Sequence, residues 1–185
     1  YQLTIEKNTV FYTNPPQLPV ENILDNLFVE GLALLERSQF YQYEVSAFAR
    51  DGKHSRHNKN YWQFGDYLGI GAGAHGKITL ANQQIIRRWK TRAPEDYLAK
   101  QNKVAGSQPI ARSELALEFM MNHLRLHEGF TKELFSHRTG LLFSEIEPKL
   151  IDLEKQELLE KVGPLYRPTA KGRLFLNNMI AYFDP

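Results

Sequence analysis

The sequence predicts an α/β fold in two parts, a strand–helix–strand unit of parallel-sheet type followed by a small, mostly helical domain with a two-strand wing. Three observations lead there. Two β-rich stretches, Tyr1–Glu6 and Tyr43–Ala49, bracket a helical periodicity from Glu21 to Arg37, where Ile23, Leu24, Leu27, Phe28, Leu32, Leu34 and Leu35 recur at helical spacing. That order and spacing imply a βαβ crossover and so a parallel sheet. Beyond Pro109 the apolar positions are helical, broken by Val162–Pro168, which reads as a strand-turn.

The elements follow in order. Tyr1-Gln2-Leu3-Thr4-Ile5-Glu6 alternates as a strand in mid-course, and a chain that opens inside a strand suggests a fragment. Asn14-Pro15-Pro16 with Pro19 forms a stiff extended connector, because each proline fixes φ and disfavours helix before it. After the strand at Tyr43–Ala49 comes a polar loop, Arg50 to Asn60, running into Tyr61-Trp62-Gln63-Phe64-Gly65. Asp66 to Gly76 reads as an apolar strand entering a glycine-rich turn. Ile78–Leu80 and Ile85–Thr91 pair as a hairpin across Asn82-Gln83. Lys103–Pro109 has few large apolar residues and is the candidate boundary, dividing the chain into residues 1–105 and 106–185. Helices are expected over Ser113–Leu126, Phe130–His137 and Phe143–Glu160, with Pro148 in a first turn. A last helix runs from Thr169 to Phe183 with Thr169 as its N-cap.

Composition narrows the function. The 185 residues are 42% hydrophobic, with nine Tyr, eleven Phe and two Trp, enough to build a core rather than a disordered segment. Lys+Arg 23 against Asp+Glu 21 gives a net charge of +2, too balanced for a protein dominated by nucleic-acid phosphates. There is no cysteine, so the chain has no disulfide, no cysteine nucleophile, no thiolate zinc site and no cysteine-ligated iron–sulfur cluster. No run of 18 apolar residues marks a membrane-spanning helix.

Two constellations could carry chemistry. The first is His57-Asn58-Lys59-Asn60-Tyr61-Trp62. An imidazole beside large aromatics can ligate haem iron and wall a macrocycle, and Lys53, Arg56 and Lys59 could meet propionates. A polar loop anchored to the core by aromatics is the competing reading. The second is Gly69-Ile70-Gly71-Ala72-Gly73-Ala74-His75-Gly76. Its Gly71, Gly73 and Gly76 mimic a dinucleotide fingerprint, but Lys77-Ile78-Thr79-Leu80 is β-like, so the required helix is missing and that reading is rejected. A glycine-lined strand packing on its neighbours and a ligand-facing wall both remain open. His123 and His127 have i, i+4 spacing but no third ligand, which favours a helix surface; His54 and His137 read as solvated. Arg87-Arg88-Trp89-Lys90-Thr91-Arg92 reads as a solvated strand edge rather than a nucleic-acid contact.

These residues resemble the HemW-type radical-SAM proteins, relatives of oxygen-independent coproporphyrinogen III oxidase. His57-Asn58-Lys59-Asn60-Tyr61-Trp62 is similar to the family's HNxxYW motif, and Asp66–Gly76 to its DYxGxGxGAHG stretch. Tyr1–Glu6 with Thr9-Val10-Phe11, and Tyr43–Ala49, resemble its later barrel strands. Glu118–Asn122, Leu124–Leu126, Gly129-Phe130, Thr139–Leu141 and Thr169–Gly172 resemble its C-terminal helical domain. The resemblance implies the last strands of a partial (β/α) barrel followed by that winged-helix-like domain.

It further implies a haem-binding, haem-delivering protein, with His57, Asn58, Tyr61 and Trp62 at the haem and Gly69, Gly71, Gly73 and His75 at the ligand-facing barrel end. The only metal it implies within this chain is haem iron through His57. The intact family members carry a four-iron, four-sulfur cluster and S-adenosylmethionine, whose main ligands lie upstream of anything present here. This chain alone is therefore expected to be inactive in S-adenosylmethionine cleavage. Partners implied are haem or porphyrin and haem-accepting proteins, with a membrane-associated acceptor and a homodimer both allowed, no nucleic acid, and a cytoplasmic location. The alternatives are a fragment of a coproporphyrinogen III dehydrogenase of porphyrin biosynthesis and a nucleic-acid-binding winged helix.

Overall fold

A computed structural model describes residues 3–185. The chain divides into two compact units, residues 1–54 and 55–185. The first holds one helical turn, α1 (Val10–Thr13), the long α2 (Glu21–Arg37), and two short strands, β1 (Tyr41–Glu44) and β2 (Ala47–Ala49). The proline segment between α1 and α2 carries no helix or strand, and Val20 at its end is extended. Several expectations are corrected here. Tyr1 and Gln2 lie outside the described residues, and residues 3–6 form no strand. Val10 and Phe11 sit in a helical turn, because the Thr9 hydroxyl accepts the Tyr12 N–H and nucleates it.

Tyr43–Ala49 is not one strand but the fold of a hairpin. The Glu44 carboxylate accepts the Ser46 N–H at 2.8 Å, which reverses the chain so that Glu44 pairs with Ala47 and Tyr41 with Ala49. The βαβ crossover is therefore absent, and every strand pair among the described residues is antiparallel. α2 keeps its predicted span, yet none of its residues is buried, and Leu27 and Phe28 are more than half exposed.

The second unit opens with α3 (Arg56–Trp62), then a three-stranded antiparallel sheet in the order β3 (His75–Thr79), β4 (Ile85–Lys90), β5 (Val104–Pro109), with α4 (Pro94–Ala99) between the last two. The β3–β4 hairpin forms where expected: Asn82 Oδ1 accepts the Gln84 N–H at 3.1 Å and Gln83 takes a positive φ at the turn. Lys103–Pro109 is mostly β5, the partner of β4, rather than a linker. Gly106 makes this pairing possible, since a Cβ there would stand 2.2 Å from the Trp89 ring.

The remaining elements are α5 (Leu115–His123), α6 (Lys132–Thr139), α7 (Glu147–Lys155), the hairpin β6 (Leu159–Val162) and β7 (Leu165–Pro168), then α8 (Ala170–Leu174) and α9 (Leu176–Ala181). The break at Gly140 is a left-handed C-cap, Pro148 sits in the first turn of α7, and Thr169 caps α8 by accepting the Gly172 N–H at 2.9 Å. The expected last helix is interrupted at Phe175, between α8 and α9. The core collects here: Phe119, Met120, Phe135, Leu150, Leu153 and Met179 are wholly buried and Phe64 nearly so, with Phe119 edge-on to Phe64, Phe130 and Phe135.

Candidate functional site

The segment His57–Trp62, read from the sequence as a loop, is helix α3. Ser55 starts it by accepting the Asn58 N–H. Its end is a left-handed turn at Phe64 (φ 55°), where Gly65 N–H bonds back to Asn60 O at 2.8 Å. Phe64 accepts this uncommon backbone because its ring is buried in the core. A side chain at Gly65 would collide with Asn60, so the glycine is required there.

Three contacts fix α3 on the body of its unit. Glu128 takes both Lys59 Nζ at 2.7 Å and Gln63 Nε2 at 2.9 Å, residues one helical turn apart. Arg125 stacks its guanidinium on Trp62 at 4.3 Å. Partial burial alone would raise the Glu128 carboxyl, but the ammonium of Lys59 and the amide of Gln63 hold it below its ordinary value. Trp62 is thus committed to holding the helix in place rather than turned to an open cavity.

The other side of α3 meets the sheet. The Tyr61 and Tyr67 hydroxyls are hydrogen-bonded to each other at 2.7 Å and their rings lie 4.2 Å apart. Burial first, and the Tyr61 contact second, push the Tyr67 phenol well above its usual range, so it stays protonated. Beneath them Asp66 and Lys77 lock the Asp66–Tyr67 segment to β3. Lys77 Nζ reaches Asp66 Oδ1 at 3.2 Å and Phe64 O at 3.0 Å, while Asp66 also accepts Thr79 N–H at 2.8 Å. Tyr67 and Lys77 exchange both backbone bonds as an isolated bridge.

A cavity of about 280 Å³ opens above this lock, lined by Tyr61, Phe64, Tyr67, His75, Gly76, Lys77, Arg87, Met121 and Asn122. It lies at the small end of the range for ligand pockets. Tyr61 and His75 are therefore the two sequence-predicted residues that the fold brings to one cavity. His57 shares a helix face with Tyr61, one turn away, and is exposed, its ring 3.4 Å from Asn58 Oδ1; neither it nor Asn58 lines the cavity. Tyr67, Lys77 and Arg87 were missed as site residues. Lys77 could have been suspected, being a charged residue at an inward position of a short strand.

The glycine stretch is not the apolar strand expected. Leu68 and Ile70 are highly exposed, and Gly71 and Gly73 take positive φ in the turn that delivers His75 to β3. Gly69 packs directly on this strand, since a Cβ there would lie 2.3 Å from His75 O. Gly69, Gly71 and Gly73 thus shape backbone, and none of the three lines the cavity.

Among the remaining histidines, His123 is not on a helix surface. It is buried, stacked on Phe119 at 5.0 Å, and its Nε2 donates to Gly129 O at 2.9 Å. Desolvation lowers it to about 4 against the pull of that bond. His54 stacks on Tyr43 at 4.2 Å, and His137 is exposed. No cluster of three or more His, Cys, Asp or Glu that could hold a metal ion occurs among the described residues. Among the described residues no helix is long and apolar enough to cross a membrane.

The fold is thus a mixed α/β one, a three-stranded sheet with a capped helix against it leading into a helical region with a β-hairpin. Residues 110–175 match the model of the HemN C-terminal domain. The heme chaperone HemW of Escherichia coli (strain K12) is 41% identical over 99% of this chain and 48% of its own length. That of Haemophilus influenzae is 39% identical with the same coverage. Bovine radical S-adenosyl methionine domain-containing protein 1, mitochondrial, is 34% identical over 72% of this chain and 33% of its own. Among solved structures, coproporphyrinogen III oxidase (HemN) from Escherichia coli, described as a radical SAM enzyme, superposes with a TM-score of 0.64 at 17% identity, covering 90% of this chain and 42% of that one. The chain is thus similar to the HemW proteins over nearly its whole length and to the HemN C-terminal domain over residues 110–175, and it spans about half the length of the curated relatives it matches.

Proposed function

We propose that this chain is the haem-contacting part of a haem chaperone, binding haem and passing it to acceptor proteins. The observation that carries this reading is the cleft between α3 and β3, where stacked tyrosines, an imidazole and two cations surround one cavity in a chain similar to HemW. A macrocycle is too large to enter a 280 Å³ cavity, so haem lies across its mouth with one edge inserted. On the α3 side Tyr61 lines the cavity, His57 and Asn58 would meet the macrocycle outside it from the exposed turn before Tyr61, and Trp62 holds the helix from behind. His75 and Gly76 stand on the opposite wall, placed there by the turn through Gly69, Gly71 and Gly73.

In the intact protein, residues 1–105 would contribute the end of a (β/α) barrel and residues 106–185 its winged-helix-like C-terminal domain. The exposed apolar face of α2 supports this, since a barrel helix needs neighbouring strands to cover it. The family's four-iron, four-sulfur cluster does not fit these residues, which include no cysteine. Cluster and S-adenosylmethionine would belong to the other half of the protein, in the cytoplasm.

Titration of the chain with ferric haem, followed by absorption, tests the reading. A saturable red-shifted haem band is expected, weakened in His57→Ala. No saturable binding by the unmodified chain would overturn the function. An unchanged His57→Ala titration would remove His57 from the site.

A further inference from the structure

His75 differs from His57 in what surrounds it. Its ring is exposed, yet it lines two openings at once: the 280 Å³ cavity under Tyr61 and Tyr67, and a larger groove of about 660 Å³ on the other side. That groove runs over the sheet face toward α5, with Trp89, Pro109, Ile110 and Leu117 as its apolar surface. His75 and Trp89 are Cα partners in the β3–β4 ladder, and their rings lie nearly parallel, 28° apart, with centroids at 6.5 Å. Trp89 is laid flat over Gly106, where any side chain would strike its ring. An imidazole and an indole thus stand side by side on a strand ladder, fixed by backbone rather than by a mobile loop.

From this placement we propose that His75 is a ligand to the iron of the haem, and that Trp89, its ring nearly parallel to the imidazole, holds that imidazole in its orientation. The inference rests on the haem-binding reading and adds a ligand on the sheet side, opposite α3. Neutral imidazole on a rigid strand supplies the nitrogen that ferric iron takes, and the aromatic neighbour shields the bond from water. The α5 side of the groove carries Glu114 and Glu118, and Arg87 is already paired with Glu118. Carboxylates are repelled there, so the propionate edge of the macrocycle points away from α5.

The test titrates ferric haem and metal-free protoporphyrin IX into the unmodified chain and the His75→Ala, Trp89→Leu and His57→Ala variants. His75→Ala is expected to weaken haem binding at least tenfold and shift the band toward a high-spin spectrum, with added free imidazole restoring the original band. Protoporphyrin IX, having no iron, is expected to bind the unmodified chain, His75→Ala and Trp89→Leu alike, while Trp89→Leu weakens haem several-fold by freeing the imidazole. Unchanged haem affinity and spectrum in His75→Ala, with loss in His57→Ala, would overturn the assignment while leaving haem binding intact. Equal loss of haem and protoporphyrin IX in His75→Ala would also overturn it, by showing a packing role. Failure of the unmodified chain to bind haem would remove the functional reading and this ligand with it.

Discussion

The Lys77 ammonium, 4% exposed, sits 3.2 Å from a carboxylate oxygen of Asp66 and 4.1 Å above the Phe64 ring, so one buried charge ties the segment behind α3 to the first strand of the sheet. The two partners share the interaction unequally. Lys77 is the desolvated one, and burial pulls it below its ordinary value despite the bond to Asp66. Asp66 lies closer to solvent; burial opposes its ionisation, but the Thr79 backbone N–H and Lys77 together hold it below the usual carboxylate value.

Removing the acid strands the base. Asp66→Asn is expected to destabilise the protein by about 2 kcal/mol, less than for a fully enclosed pair because Asp66 is partly solvated. Lys77→Met, which fills the same space without charge, is expected to cost less than the asparagine change. Urea denaturation of both variants measures the difference, and the reverse order would show that the pair is not what anchors the segment. Because Asp66 is depressed in the folded state, its contribution is present above the unfolded carboxylate value and fades as pH falls through the folded one, below about pH 4.

His123 gives a separate acid sensitivity at higher pH. Folding lowers it from 6.5 to about 4, so the unfolded chain takes up a proton that the folded chain refuses. Stability from this group is complete above pH 6.5 and declines toward pH 4, by about 3 kcal/mol over the full interval. Guanidinium unfolding at pH 7.5, 5.5 and 4.5 should show the decline, and His123→Leu should flatten it. A slope retained in that variant would assign the sensitivity to other groups.

Gly172 allows α8 to lie on the β6–β7 hairpin. A methyl group there would stand 1.9 Å from the Leu158 carbonyl oxygen, which itself accepts the Thr169 N–H at 3.0 Å. Gly172→Ala is expected to lower stability by at least about 2 kcal/mol, since backbone must move to admit one carbon. Thermal melting decides it. A melting temperature within one or two degrees of the parent would mean the hairpin shifts freely.

Glu128 holds α3 from outside. Its ion pair with Lys59 is only partly buried, so Glu128→Gln is expected to change global stability by less than about 1 kcal/mol. Local order should respond more than the whole. Amide hydrogen exchange in Lys59–Trp62 is expected to quicken in the variant, and unchanged protection there would show that Trp62 and Arg125 suffice.

Much of this chain is legible residue by residue. The β3–β4 hairpin, the proline connector, the Gly140 break and the Thr169 cap are local structures whose chemistry is complete within a few residues, and each forms where its residues predict. The motifs His57–Trp62 and Asp66–Gly76 likewise marked the two segments that flank the cavity. Two readings among those that failed did so differently, one over a local turn and one over a long-range contact. Tyr43–Ala49 looks like one strand until the Glu44 carboxylate turns it back on itself, and the crossover inferred from it disappears. The segment at His57 looks like a loop because it is polar, but its helix is held by Glu128 and Arg125, some 65 residues away in the chain.

The sequence by itself determined the resemblance to HemW, the absence of cysteine-ligated chemistry, the caps and turns, and the apolar residues available for a core. Those properties depend on composition and on neighbours close in the chain. Only the tertiary structure decided which histidine faces a cavity and which is buried against Phe119. Burial and cavities are made by elements distant in sequence: Phe119 covers His123 from its own helix, but the groove beside His75 and Trp89 is closed by Pro109, Ile110 and Leu117.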